Sequence, residues 1–293
     1  MEGMQSSADW VVLNGNLYPE LSPEFFIKNR AFRLGDGFFE TLRVIHGSVN
    51  LWDAHYARIV ACCKALQIEI PSVFSSDFML TSIYKLLKQN GVNAGGRIRI
   101  TLFREGEGAY TPLSNRLGFV IEAKVIHQRE FLVKDQGVSI DIYTGLKKSI
   151  TQLSPFKLMG NHVYIQAAAW AKANNLGDAL IINTENRIIE ATSSNLFIVK
   201  NGTFHTPAIS SGCVGGVMRM AVINAAVREG LPIFESEIDM NDITFADEVF
   251  LTNAISGISW VGSFRNKRYY HKLSDKLTEK INRAESIDAV KPG

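Results

Sequence analysis

Cysteine is scarce in this chain, with only Cys62, Cys63 and Cys213 among 293 residues. An odd number without metal-ligand spacing excludes a disulfide-stapled scaffold and suits a reducing compartment. An excess of one charge is lacking too. The chain has 31 basic and 29 acidic side chains, a formal +2, and no basic block, so no nucleic acid partner is expected. No apolar run reaches the length of about 18 residues that a transmembrane helix needs, so no membrane partner is expected. The opening MEGMQSSADW has no charged segment leading into an apolar stretch. No signal peptide is therefore expected, and the cytoplasm is the default. The histidines are scattered without metal spacing, no G-x-S-x-G elbow is present, and Gly35-Asp36-Gly37 is too short for a dinucleotide fingerprint.

What is present is ordinary for a soluble globular protein: 46% hydrophobic and 20% charged residues. The length exceeds a typical core of about 100–150 residues, which predicts two domains. WVVLNGNLY reads as a hairpin turning at Asn14-Gly15, and FFETLRVIHGSVNLW as a second turning at His46-Gly47. Residues 54–67 and 76–90 carry helical spacing, and RIRITLF and LGFVIEAKV alternate like strands. Residues 126–135 weaken into a linker between a small domain, 1–125, and a large one, 136–293. The large domain opens with VSIDIYTG, continues into an Ala-rich helix stopped by Gly177, and then runs as a meander of ALIIN, RIIEA, NLFIV and TFHTP. After SGCVGG comes a helix, VMRMAVINAAVREG, then a strand, EVFLTNA. The fold class is α+β in two domains.

Several residues could carry chemistry. Lys157 sits among Phe156, Leu158 and Met159. Desolvation there would lower its pKa and offer a neutral amine for Schiff-base chemistry. The plain alternative is a lysine laying its stem on apolar surface at a helix start. Glu190 shares a strand face with Ile188 and Thr192. It could keep a ring nitrogen protonated and make that ring an electron sink, or be an exposed strand-end carboxylate. The glycines of SGCVGGVMR precede a helix start, where free amides favour phosphate, or form a simple turn. Arg58 could make a bidentate phosphate contact or lie on the surface. Arg104 follows Ile98, Ile100 and Leu102 on the apolar side of its strand. A buried arginine there would need an anion, such as a substrate carboxylate; otherwise the strand has ended and Arg104 points to water. Glu40 has the same oddity beside Phe38, Leu42 and Val44, and would pair with an arginine or line the pocket.

The stretches RAFRLGDGFFETLRV, LWDAHYARI, FKLMGNHVY, IIEATSSNLFIVKNG, VGGVMR and DEVFLTNAISGI occur in that order from about residue 30 to 262. Together they resemble the fold-type IV pyridoxal 5′-phosphate (PLP) enzymes, or class IV aminotransferases. That family includes branched-chain aminotransferases, D-amino acid aminotransferases and aminodeoxychorismate lyases. The resemblance implies the D-amino acid aminotransferase-like architecture of two α+β domains, usually a homodimer. It implies Lys157 as the Schiff-base lysine and proton shuttle, Glu190 at the pyridine nitrogen and Arg58 at the phosphate. Val217 and Met218 would offer phosphate their backbone amides, Ser194 and Asn195 would sit around the cofactor, and Arg104 would contact a substrate carboxylate. Some positions depart from the family. His162 stands where a cofactor-contacting tyrosine is common, with Tyr164 nearby. Ala254 and Ile255 fall where a hydroxyl often meets phosphate. Phe39, at the substrate, replaces the tyrosine of D-amino acid aminotransferases. LTNAISGI and GDGFFETLRV look closer to the lyases.

The resemblance implies an aminotransferase acting on an amino acid and keto acid pair. The alternative is an aminodeoxychorismate lyase releasing pyruvate and p-aminobenzoate from the same first steps. A PLP-binding scaffold without activity is disfavoured, because lysine, glutamate and phosphate arginine are all present.

Overall fold

The computed structural model describes residues 9–20 and 28–288. The segment expected to lack a signal peptide falls largely in residues 1–8, outside the described residues. Among the described residues, no helix is long and apolar enough to cross a membrane.

The chain divides into two compact units. The first holds Met1–Arg129 with Lys157–Gly160, and the second Glu130–Phe156 with Asn161–Gly293. The sequence reading placed 157–160 in the large domain. It groups with the first unit because its backbone adds to a strand there: Phe39 N donates to Lys157 O at 3.0 Å, and Met159 N to Gly37 O at 3.0 Å. Gly37 is required at this approach, since a Cβ would meet Leu102 O and the Met159 sulfur.

The first unit runs β1 (Trp10–Leu13), β2 (Asn16–Pro19), α1 (Arg30–Leu34), β3 (Gly37–Ile45), β4 (Ser48–Val49), α2 (Trp52–Ala65), α3 (Ser76–Gln89), β5 (Gly96–Arg104) and β6 (Leu117–Val125). Its sheet is antiparallel in the order β2-β1-β6-β5-β3-β4. Asn14 and Gly15 have φ of +45° and +91°, and His46 and Gly47 +48° and +80°. Two-residue turns of this left-handed kind match the right-handed twist of the strands they join. One sheet face presents Phe38, Leu42, Ile98, Ile100, Leu102 and Ile121, all buried; α2 packs on β3, and α3 on β1 and β6.

The second unit runs β7 (Val138–Lys148), α4 (His162–Ala173), β8 (Asp178–Asn183), β9 (Ile188–Ala191), β10 (Asn195–Lys200), β11 (Thr203–Pro207), α5 (Val217–Arg228), β12 (Ile233–Ser236), α6 (Met240–Thr244), β13 (Glu248–Asn253), β14 (Gly257–Phe264), β15 (Lys267–Arg268) and α7 (Leu273–Asp288). The sheet order is β12-β11-β10-β13-β14-β7-β8-β9, and β9 also meets β10, closing a ring of strands. The expected meander is interrupted. β13, whose VFL is fully buried, lies along β10 and leaves β9 a single register pair there, Glu190↔Asn195. Nor does Gly177 stop α4. The helix ends at Asn174, with Asn175 at φ +55°, while Gly177 lets β7 approach, where a Cβ would meet Val138.

Candidate active site

In the first unit Lys157 lies beside Phe39. Its Nζ is 5.5 Å from the centre of the Phe39 ring, and the Arg99 guanidinium stacks on the same ring at 4.1 Å, a distance at which cation–π attraction acts. Across the ladder Phe39 faces Thr101, and Thr41 faces Arg99. These side chains therefore share the sheet face turned away from α2 and α3. Arg99 makes no hydrogen bond or ion pair among the described residues. Burial pushes its pKa down, opposed by Glu122, its register partner on β6. The same face carries a groove of about 380 Å³. Val11, Leu13, Phe32, Phe103 and Val120 make it apolar, Met159 also lines it, and its charged groups are the carboxylates of Glu20 and Glu122, with no basic side chain. Sequence reasoning did not single out Arg99; the strand register puts it on the same face as Phe39.

On the other face Glu40 is 1% exposed. Arg58, on α2, donates from Nε to Oε1 and from Nη2 to Oε2, each at 2.6 Å. His55 Nδ1 lies 2.7 Å from Oε2. Burial would raise the Glu40 carboxyl, but the charge of Arg58, with hydrogen bonds from His55 and Arg58, outweighs it and holds the pKa at about 2. Burial lowers the His55 pKa, with Glu40 opposing and the charges of Arg58 and Lys157 adding. The imidazole is therefore neutral, and its Nδ1–H donates to the carboxylate. Glu40 thus fixes the plane of Arg58 by a bidentate pair.

Arg104 is a mostly buried arginine with an anionic partner inside the fold, Asp36, at 3.1 Å from Nε. Nη1 donates to Gln67 O at 3.2 Å and to Asn115 Oδ1, and Nη2 to Leu66 O at 2.8 Å. Asp36 also takes Arg30 Nε at 2.7 Å, and Arg30 Nη1 holds the carbonyls of Gly108 and Ala109. These arginines anchor the 105–116 loop, and four of the five Arg104 donors are held by the fold.

In the second unit Glu190, Asn195 and Thr252 are successive register partners across β9, β10 and β13. Glu190 is 3% exposed. Its Oε1 accepts from Lys148 Nζ at 2.9 Å and Tyr164 Oη at 2.5 Å, and its Oε2 from Val214 N at 3.0 Å. Asn195 Nδ2 donates to Val214 O at 2.7 Å, so the two strand ends clamp both backbone polar groups of one residue, Val214, just ahead of α5. A Cβ on Gly216 would collide with the Asn195 side chain. Thr252 Oγ1 is buried without a partner. α5 opens at Gly216 with no side-chain cap and no acidic residue in its first turn, leaving the Val217 and Met218 end suited to an anion. Ser194 Oγ accepts from Asn253 Nδ2 at 2.9 Å, while Asn253 Oδ1 takes the amides of Ile255 and Ser256; this asparagine shapes the Ala254–Ile255 turn. His162 is exposed at the start of α4, so the aromatic polar group that meets Glu190 is Tyr164. Lys148 was missed. The only signal for Lys148 was parity, since it alternates in step with Ile140 and Ile142 while Lys147 does not.

A profile of the class IV amino-transferases matches residues 37–264, and the chain belongs to that family of PLP-dependent enzymes. It is 28% identical over 267 residues to an aminodeoxychorismate lyase of Vibrio harveyi, covering 87% of this chain and 94% of that protein. A D-alanine aminotransferase of Listeria monocytogenes is 24% identical over 249 residues, 83% of each. Among solved structures, the branched-chain aminotransferase of Thermoproteus uzoniensis with norvaline matches at a TM-score of 0.85 and 21% identity, covering 96% of each chain; it shares the fold.

The residues present fit PLP. A carboxylate offers about four lone-pair positions; Glu190 uses three in the contacts above, which leaves one on Oε2 for a ring N–H. The uncapped α5 start and the unpartnered Thr252 hydroxyl suit an anionic, oxygen-rich group.

Proposed function

We propose that this chain is an aminotransferase for an amino acid with an apolar side chain, and that Lys157 holds the cofactor. The observation that carries this reading is the sheet face beside Lys157. There Arg99, stacked on Phe39, is suited to receive the α-carboxylate, and the apolar groove suits the side chain. Aminodeoxychorismate carries two carboxylates, and the groove's own charges, Glu20 and Glu122, would repel the second.

PLP, when bound, supplies the electron sink that makes a substrate Cα–H acidic. Lys157 would hold its aldehyde carbon, Arg58 and the Val217 and Met218 amides its phosphate, and Glu190 its ring nitrogen, with Ser194, Asn195 and the Ala254–Ile255 turn around it. Lys157 Nζ, as a free amine, would be the base that takes the proton from the substrate Cα and the acid that gives it back. Phe39 flanks Nζ, with its ring centre 5.5 Å away. Arg99 orients the substrate through its carboxylate. Family membership supports a homodimer, which light scattering would check.

Borohydride reduction of the holoenzyme followed by peptide mapping tests the lysine. The expected label is on Lys157; a label on Lys148 would overturn the assignment. A panel of amino donors tests the activity, with turnover expected for aliphatic or aromatic amino acids. The second reading, the lyase, is favoured by the Vibrio harveyi relative and by the LTNAISGI turn. Release of pyruvate and p-aminobenzoate from aminodeoxychorismate without an amino acceptor would select it.

A further inference from the structure

The Lys148–Glu190 pair has no place in the scheme above, and it is costly to build. Both side chains are buried, at 8% and 3% exposure, and removing two charges from water is repaid only by close geometry. The groups around Glu190 come from three elements. Lys148 reaches it from β7 and Tyr164 from α4, while Cys213 lies just ahead of α5. Burial and the Glu190 charge push both the Tyr164 phenol and the Cys213 thiol up, so these two stay neutral. Tyr164 Oη donates to Glu190 Oε1 and accepts from Lys148 Nζ at 2.6 Å, and Lys148 also donates to Ser154 O at 3.3 Å. Lys148 is thus the cation held against this carboxylate among the described residues. It sits on Oε1, whereas the open acceptor position is on Oε2.

We propose that Lys148 is a positioning residue: its ammonium keeps Glu190 anionic, and so drives the proton that Glu190 shares with the PLP ring nitrogen onto the ring. This rests on the reading that Glu190 meets that nitrogen. A buried carboxyl and a pyridine nitrogen can share one proton in two ways, as a neutral pair or as an ion pair. Burial favours the neutral pair. An ammonium 2.9 Å from the far oxygen attracts the carboxylate more than it repels a protonated ring on the near one, because attraction falls with distance. Without Lys148 the proton would move to the acid, and the ring would lose its power to absorb negative charge.

The test uses holoenzyme reconstituted with PLP carrying 15N in the ring, whose resonance reports protonation. Wild type should show the protonated position, and so should Lys148→Arg. Lys148→Met should shift toward the unprotonated position while still holding PLP. Lys148→Gln, which keeps a hydrogen-bond donor without the charge, should shift likewise. A Lys148→Met or Lys148→Gln enzyme with an unmoved resonance would overturn the proposal. So would neutral variants that no longer hold PLP where Lys148→Arg does, since the charge would then serve only folding. A failure of the underlying reading looks different: Glu190→Gln would leave the wild-type resonance unchanged, or the wild-type chain would bind no PLP.

Discussion

Replacing Glu40 by glutamine removes a charge that two α2 side chains are built around. In the fold the carboxyl titrates at about 2, against an ordinary 4.5. At about 1.4 kcal/mol per pKa unit, that difference corresponds to about 3 kcal/mol of stability. Because the folded value is the lower one, this stability is fully present above about pH 4.5 and is lost as pH falls through about 2. By pH 3.5, roughly 1.4 kcal/mol should already be gone. Glu40→Gln should therefore weaken the first unit by about 3 kcal/mol at pH 7, in the range expected when a buried ion pair loses one partner. Between pH 6 and 3.5 it should also lack the extra decline of roughly 1.4 kcal/mol. Hydrogen exchange read by mass spectrometry on peptides from β3 and α2 measures both quantities. A loss below about 1 kcal/mol at pH 7, or an acid decline equal to that of wild type, would refute the account of Glu40 as the buried anchor of Arg58 and His55.

The two arginines should separate cleanly in kinetics. Arg99→Ala should raise KM for an apolar amino acid by roughly ten- to a hundredfold, from a lost charge-assisted contact of about 1.5–3 kcal/mol, with PLP affinity unchanged. Arg104→Ala should leave KM within about twofold but loosen the 105–116 loop by about 2 kcal/mol, which proteolysis or hydrogen exchange of that loop would show. Gly216→Ala forces a methyl onto Asn195 and should raise the PLP Kd about tenfold, or 1.4 kcal/mol, in a spectral titration. The Cys63 and Cys213 thiols are pushed up to about 12, chiefly by burial. Iodoacetamide at pH 8 should therefore label them only after unfolding, and labelling of the native protein would contradict their burial.

Local chemistry that depends on near neighbours was readable along the chain. Asn14-Gly15 and His46-Gly47 demand left-handed turns whatever lies around them. The strand and helix periods of 96–104, 117–125 and 76–89 survived because each element has one apolar side and one core to face. Lys157, Glu190 and the glycines before Val217 were legible as an ordered set. Contacts set by register were not. Alternation in RIRITLFRE puts Arg99 and Arg104 on opposite faces, but it does not show that Arg99 stacks on Phe39 or that Arg104 bonds Asp36, Leu66, Gln67 and Asn115, because these partners come from other segments. Lys148 became a candidate only once its ammonium was found on Glu190, 42 residues away. A residue's type and spacing are properties of the chain, whereas the partner that decides its charge and role is supplied by strand pairing, and that exists only after folding.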